Sequence, residues 1–352
     1  MKSQVDRAEV LLALESVSPG LAAKELLQQS TSFVFDSGNV VTFNDEISCI
    51  RKNPFPGTLT GAVRAAPLLE LLNKMTDDSL LAETNGSELI LSGAGKRAKF
   101  RMESDVLLPL DSVEDATDWY DLPESFDEAV GLVHACASSE ESLFVLTCVH
   151  LAPEFIEACD RFQMARYSLD LEWLPEAMSK IPGQEDQVDT MIRADSLKRV
   201  IGLGMTKASV SEGWMHFKNN QGLKVSVRRH LDSYSDISKY LHGEDTSPVA
   251  MPGGLDEIVE RARIFSQEKA DANNLMVILR EDTIVIKGEG ASGEYAEKRK
   301  VSYKDKPIRF LIAPSLLVEI SKRSTQCGVG GNRLFVDAGN LKYAASTCCV
   351  EE

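Results

Sequence analysis

The sequence has no stretch of the length a membrane span needs. Its strongly apolar runs, such as LMVIL at 275–279, fall far short of the ~20 residues of a spanning helix. The opening MKSQVDRAEV carries charges where a secretion signal has its apolar core, so a cytoplasmic chain is expected. Seven cysteines are scattered without CxxC or Cys/His spacing, which excludes a recognisable zinc motif and a disulfide framework. Cys348 and Cys349 are adjacent and poorly placed to bridge each other, and reduced, buried thiols are the expectation.

Catalytic signatures are missing as well. There is no GxSxG, HExxH or Walker A pattern, and GLGMTK at 202–207 has the wrong order and spacing for a phosphate loop. His134, His150, His216, His230 and His242 stand apart; Cys148 and His150 share a face of an alternating segment but have no third ligand. Neither an enzyme, nor a cofactor, nor a metal site is expected. An excess of basic residues is also lacking: 38 Lys and Arg face 54 Asp and Glu, for a net charge of −16. That balance argues against nucleic acid unless positive charge is concentrated locally.

Among the features present, Gly288, Gly290 and Gly293 have the GxGxxG spacing of a dinucleotide loop. Such a loop must open a helix whose N-terminus faces the phosphates. Here EYAEKRKVSYKDKPIRFLI follows instead, highly charged and then alternating at Val301, Tyr303, Ile308, Phe310 and Ile312. A glycine-rich hairpin is the expected structure.

A repeat sets the organisation. VRAAPLLELLNKM (63–75), IRADSLKRVIGLG (192–204) and LIAPSLLVEISKR (311–323) align at Ala65, Ala194 and Ala313, with Leu68, Leu197 and Leu316 following, then Leu72, Ile201 and Ile320. Each is one apolar face of a short helix. Asp195 and Ser315 stand where N-caps are expected, and Pro67 and Pro314 near the first turn. Upstream of each lies another amphipathic segment, at 7–21, 124–140 and 255–268. Polar turns at Asp36–Asn39, Gly93–Lys96, Asn219–Gly222 and Asp337–Asn340 join strand pairs. The expected fold is α+β, with helix, strands, helix, strands written three times over domains 1–118, 119–243 and 244–352. Segments 108–121 and 242–254, rich in acids, Pro, Gly or Ser, are expected as linkers.

RADSLKRVI followed by WMHFKNNQGLKVSVRR, the RARIFSQEK helix, and GEYAEKRKVSYKDKPIRFLIAPSLLVEI together resemble the bacterial DNA polymerase III β sliding clamp family along the whole chain. ACDRFQMA (158–165) occupies the place of the family's ATDGHRLA and keeps only Ala158, Asp160 and Ala165, as a divergent, for instance phage-encoded, member would. The resemblance implies the DNA clamp fold and a homodimeric ring of six domains, helices inward around duplex DNA and strands outward. Such a ring tethers a replicative polymerase, its clamp loader and other replication and repair proteins, with no membrane and no cofactor. The alternative is a clamp-like paralogue or interaction scaffold that does not load with the polymerase.

Residue by residue, the resemblance places Lys24, Arg64, Lys74, Lys198, Arg199, Lys322 and Arg323 toward DNA, and each of the three repeated helices is net positive. The partner-peptide cleft falls on Leu146, Cys159, Arg161, Phe162, Gln163, Met164, Ser235, Lys239, Tyr240, Leu316, Ser346, Thr347 and Cys348. STCCVEE replaces the family's apolar ending and Ser235 a proline, so altered partner specificity is expected. The dimer interface falls on Lys99, Phe100, Arg101 and Met102 from one end, and Ile264, Phe265, Glu294 and Glu297 from the other.

Overall fold

The structure is a computed structural model that describes residues 2–55, 57, 59–116, 118–169, 190–266 and 273–350. They form two compact units, one drawn from 1–131, 151–153 and 171–233, the other from 132–150, 154–170 and 234–352.

Helix α1 (Arg7–Val17) opens at Asp6, whose carboxylate accepts the Glu9 N–H at 2.9 Å, and buries Val10, Ala13, Leu14 and Val17 at helical spacing. The repeated segments form α2 (Ala65–Lys74), α4 (Ala194–Lys198) and α6 (Pro314–Arg323); between them lie α3 (Phe126–Val133) and α5 (Leu255–Ser266). Residues 267–268, expected in the α5 helix, lie outside the described residues. The aligned Leu68, Leu197 and Leu316 are all buried. α4 is the short copy: it stops before Gly202 and Gly204, both at positive φ, so Ile201 falls beyond its end. The N-caps of α4 and α6 are Arg193 and Ala313, without side-chain caps. Asp195 and Ser315 therefore sit inside the first turn, a correction to the capping expected from sequence.

The strand pairings described below are antiparallel. The first unit has a terminal sheet in the order Lys2–Asp6, Ser79–Thr84, Glu88–Gly93, Lys96–Arg101. Its larger sheet runs Gly61–Arg64, Ser32–Asp36, Asn39–Phe43, Ile47–Lys52, Lys224–Arg228, Trp214–Lys218, Lys207–Val210, Tyr120–Asp121. In the second unit the terminal sheet runs Gly293–Lys300, Thr283–Gly290, Leu275–Arg280, Ile308–Ile312, Cys348–Cys349. Its larger sheet includes Phe155–Cys159, Gln163–Ser168, Leu341–Ser346, Arg333–Ala338, Gln326–Gly330 and Ser247–Ala250. The pairings Val225↔Cys49 and Met164↔Ala344 carry sheets across the 118/119 and 243/244 boundaries read from sequence. The compact units thus divide the expected middle domain.

The expected linkers are packed. Residues 108–113 cross the first unit's core, where Leu108, Leu110 and Val113 meet Trp214 and Phe43, and the Trp214 indole donates to the Ser112 carbonyl at 2.9 Å. Ser247–Ala250 is a strand paired with Gln326–Gly330. The glycine trio is a hairpin: Gly290 pairs with Gly293, and a strand follows, not a helix. Gly288 has a different task, since a Cβ there would lie 1.8 Å from the Ala262 carbonyl oxygen. Its bare backbone lets α5 lie directly on the sheet.

Candidate partner cleft and nucleic-acid interface

The cleft residues belong to the second unit. Between strands Phe155–Cys159 and Gln163–Ser168, the Asp160 carboxylate accepts the Phe162 and Gln163 N–H groups at 2.6 and 2.7 Å. This Asx-type turn fixes the chain and leaves the Phe162 ring 62% exposed. The Ser346 N–H donates to the Phe162 carbonyl at 2.7 Å, and the Tyr343 hydroxyl to Gln163 Oε1 at 3.0 Å. The structure therefore joins the 160–164 turn to the C-terminal segment.

A buried network supports that turn. Glu157, 2% exposed, faces His150 Nδ1 at 2.8 Å and an Arg166 guanidinium nitrogen at 2.6 Å. Arg166 also donates to Ser238 Oγ at 3.0 Å, which ties the short Ser238–Tyr240 helical turn to the strand. Tyr240 on that turn is 46% exposed, with the Lys239 ammonium 4.9 Å from its ring centre. The Tyr234 hydroxyl accepts the Cys159 N–H at 2.9 Å and donates to its sulfur at 3.4 Å, while the ring stacks on His150. Burial pushes both the Tyr234 hydroxyl and the Cys159 thiol above their ordinary pKa values. Cys159 is accordingly an unreactive anchor.

Phe162, Tyr240, Arg161, Ser235, Lys239, Ser346 and Cys348 are exposed, while Leu146, Gln163, Met164 and Thr347 are half-buried. Two members differ from expectation. Cys159 and Leu316, 5% and 6% exposed, back the surface and do not line it. His150, Glu157, Arg166 and Tyr234 were missed; the signal available was the opposite charge of Glu157 and Arg166, which register pairs directly.

The residues expected to face DNA divide by environment. Lys24 and Lys198 are exposed, and Lys24 and Arg199 line one depression of about 400 Å³ in the first unit, with Arg193, Asp195 and Glu46. Arg199 donates to the Pro19 carbonyl at 3.0 Å. Arg64 pairs with Glu25 at 2.6 Å, Lys74 with Glu70 at 2.5 Å, and Lys322 with Glu319 at 2.9 Å, all with largely exposed ammonium or guanidinium groups. Arg323 is a correction. Its side chain is 3% exposed, donates to the Leu132 carbonyl at 2.7 Å and lies 4.5 Å over the Tyr343 ring, so it braces the second unit and does not face solvent.

Both expected interface strands are sheet edges: Lys96–Arg101 in one unit and Gly293–Lys300 in the other. Ile264 is 65% exposed, and Phe265 stacks on Tyr295 with ring centres 6.3 Å apart. Met102, 8% exposed, is buried within its own unit. Glu297 is held by Tyr295, Arg261 and Arg299, and the Tyr295 hydrogen bond and then Arg261 keep its carboxyl below the usual range. Neither residue is free to meet another chain, which corrects those two assignments.

No protein-family model matches the sequence, and no curated protein matches it. Solved structures do. The DNA polymerase III beta subunit of Thermotoga maritima superposes with a TM-score of 0.82 at 14% identity, over 99% of this chain and 100% of that one. The beta chain of Streptococcus pneumoniae gives 0.79 at 15% identity, covering 100% of both. The beta subunit of Pseudomonas aeruginosa gives 0.79 at 13%, over 99% and 100%. At such identities the likeness is one of architecture, and from end to end this chain has the fold of the DNA polymerase III beta sliding clamps.

Proposed function

We propose that this chain is a non-enzymatic sliding clamp: two copies, each of three domains at 1–118, 119–243 and 244–352, close head to tail around duplex DNA and tether a polymerase, its loader and other partners. The observation that carries the reading is the agreement in fold over the full length of known clamps. Lys24, Lys198 and Arg199, exposed in a chain of net charge −16, supply phosphate contacts that ignore sequence. Arg64, Lys74 and Lys322 add positive potential beside their carboxylate partners. Phe162, Tyr240 and Met164 supply the apolar face on which a partner peptide docks.

Closure brings the Lys96–Arg101 edge of one copy against the Gly293–Lys300 edge of the other, with Ile264, Phe265 and Phe100 as apolar contacts and Glu294 opposite Lys99 and Arg101. The test is topological. The wild-type protein, loaded on DNA, is retained on a closed circle and lost after linearisation; equal loss from both overturns the reading. Replacing Lys198 and Arg199 by Glu weakens retention similarly on all sequences. Ile264→Ala with Phe265→Ala yields a folded monomer by light scattering.

One observation favours the scaffold alternative. The Lys96–Arg101 edge carries Lys96, Arg97, Lys99 and Arg101 and no acid, and Glu297 opposite is already engaged. Edge lysines oppose strand addition. A wild-type chain that is monomeric at micromolar concentration supports that alternative.

A further inference from the structure

The second unit's terminal sheet has one face against α5 and one face outward. Ile284, Ile286 and Gly288 turn toward the helix, as do Tyr295 and Glu297, both held by Arg261. Register then fixes what points the other way. Three rows cross the outer face: Arg280, Thr283, Lys300; then Arg309, Ile278, Val285, Lys298; then Leu311, Met276, Lys287, Ala296. Five cations and no carboxylate occupy these rows, in a chain whose net charge is −16. Among the described residues, the nearest acids stand at the Glu281–Asp282 turn and in the adjoining row, the Glu289↔Glu294 pair. The Asp282 carboxylate accepts the Tyr303 N–H at 3.1 Å and so serves its own loop.

Arg280, Lys298, Lys300 and Arg309 are exposed and Lys287 is half-buried. The centre of the face, Met276, Ile278 and Val285, is half-buried and apolar. With strands about 4.8 Å apart and alternate residues about 6.7 Å apart, the cations frame a patch roughly 14 Å across. Side chains here stand perpendicular to the sheet, so pairing along the Gly293–Lys300 edge leaves them accessible.

We propose that this face is a second nucleic-acid surface, binding the phosphodiester backbone of a single strand irrespective of sequence. Five cations clustered on one face are the electrostatic footprint of phosphate binding, and the half-buried apolar centre gives sugars and bases a dry support without reading them. The site is distinct from the Lys24 and Lys198 set and does not require ring closure.

The experiment uses the full chain and a linear, fluorescein-labelled single strand of about 20 nucleotides, too short and open-ended to be held by encirclement, with anisotropy followed across a salt series. Each cation engaged steepens the slope of log K against log salt by about 0.7, so the wild type gives about −3.5 for five contacts. Arg280→Glu with Lys287→Glu leaves the edge strand intact, brings the slope to about −2 and weakens binding at least tenfold at low salt; Lys298→Ala with Lys300→Ala does the same. Lys198→Glu with Arg199→Glu leaves this binding unchanged while weakening retention on circles. Unaltered binding in the Arg280 and Lys287 variant, with its circular dichroism unchanged, overturns the proposal, and so does a wild-type chain that ignores the oligonucleotide but binds anionic vesicles or polyglutamate. If circles are not retained yet the oligonucleotide behaves as described, the clamp reading fails and this one stands.

Discussion

On the first unit's terminal sheet the outward rows read Lys2, Glu83, Ile90, Lys99 and Gln4, Leu81, Ser92, Arg97, with Glu88 beside Arg101. On the second unit's terminal sheet three adjacent outward rows hold Arg280, Lys287, Lys298, Lys300 and Arg309 and no acid, and the row after them is the Glu289↔Glu294 pair. Both sheets bury one face under helices and solvate the other, so neither core demands this difference. Mixed sign, with Lys99 and Glu88 at 3.4 Å, is a surface that satisfies itself. Clustered charge of one sign costs self-repulsion, which a bound polyanion would offset.

The largest expected effect lies where α5 meets the second unit's sheet. Gly288→Ala forces α5 away from the second unit's sheet, because the added carbon would lie 1.8 Å from the Ala262 carbonyl. We expect a loss of about 3 kcal/mol or more by denaturant titration; an unchanged midpoint would sink the account of that packing.

Next is an acid weakness in the first unit. His216 is fully buried between Ser211 and Ser226, and burial lowers its pKa from 6.5 to about 4. The unfolded chain binds the proton more readily, so the contribution is complete above pH 6.5 and is lost as pH falls toward 4, amounting to about 3 kcal/mol. His216→Gln should lower stability at neutral pH yet flatten the slope over that window.

Smaller again is the contrast between neighbours on α6. Arg323→Met removes the bond to Leu132 and the contact with Tyr343, for a loss of about 2 kcal/mol. Lys322→Met, at an exposed ion pair, should stay within about 0.5 kcal/mol. Equal effects would return Arg323 to the solvent-facing set.

The smallest effect tests the sheet comparison directly. Glu83→Lys with Glu88→Lys replaces two acids of the first unit's outer face by cations, and oligonucleotide affinity should rise a few-fold with a salt slope steeper by about 1.4. If single-strand binding is indifferent to this change, net positive sign alone does not make such a face a site.

The helices and hairpins were legible because each is written locally. Leu68, Leu197 and Leu316 repeat at one helical spacing, and Asp36–Asn39 or Gly93–Lys96 turn a chain whatever lies around them. What escaped depends on partners distant in sequence. Trp214 draws residues 108–113 into the core, which no composition of an acidic, Pro-containing stretch announces. Arg323 looks like any lysine or arginine on a helix's last turn until Tyr343 and Leu132 arrive from elsewhere in the chain. Within the cleft, Phe162 and the C-terminal segment were found through resemblance, while the Glu157–Arg166 support required knowing which strands are neighbours. The cationic face was invisible for the same reason: its charges are spread over four strands and gather only in register.

Of the seven cysteines, five are buried and only Cys348 and Cys349 are exposed. Cys348 stands beside Leu311 in the register and two residues from Ser346, whose N–H reaches Phe162. The native molecule therefore carries its own attachment point for a reporter at the mouth of the cleft. With Cys349→Ser, a maleimide dye on the remaining exposed sulfur would brighten or dim as a partner docks, with no cysteine added to the chain.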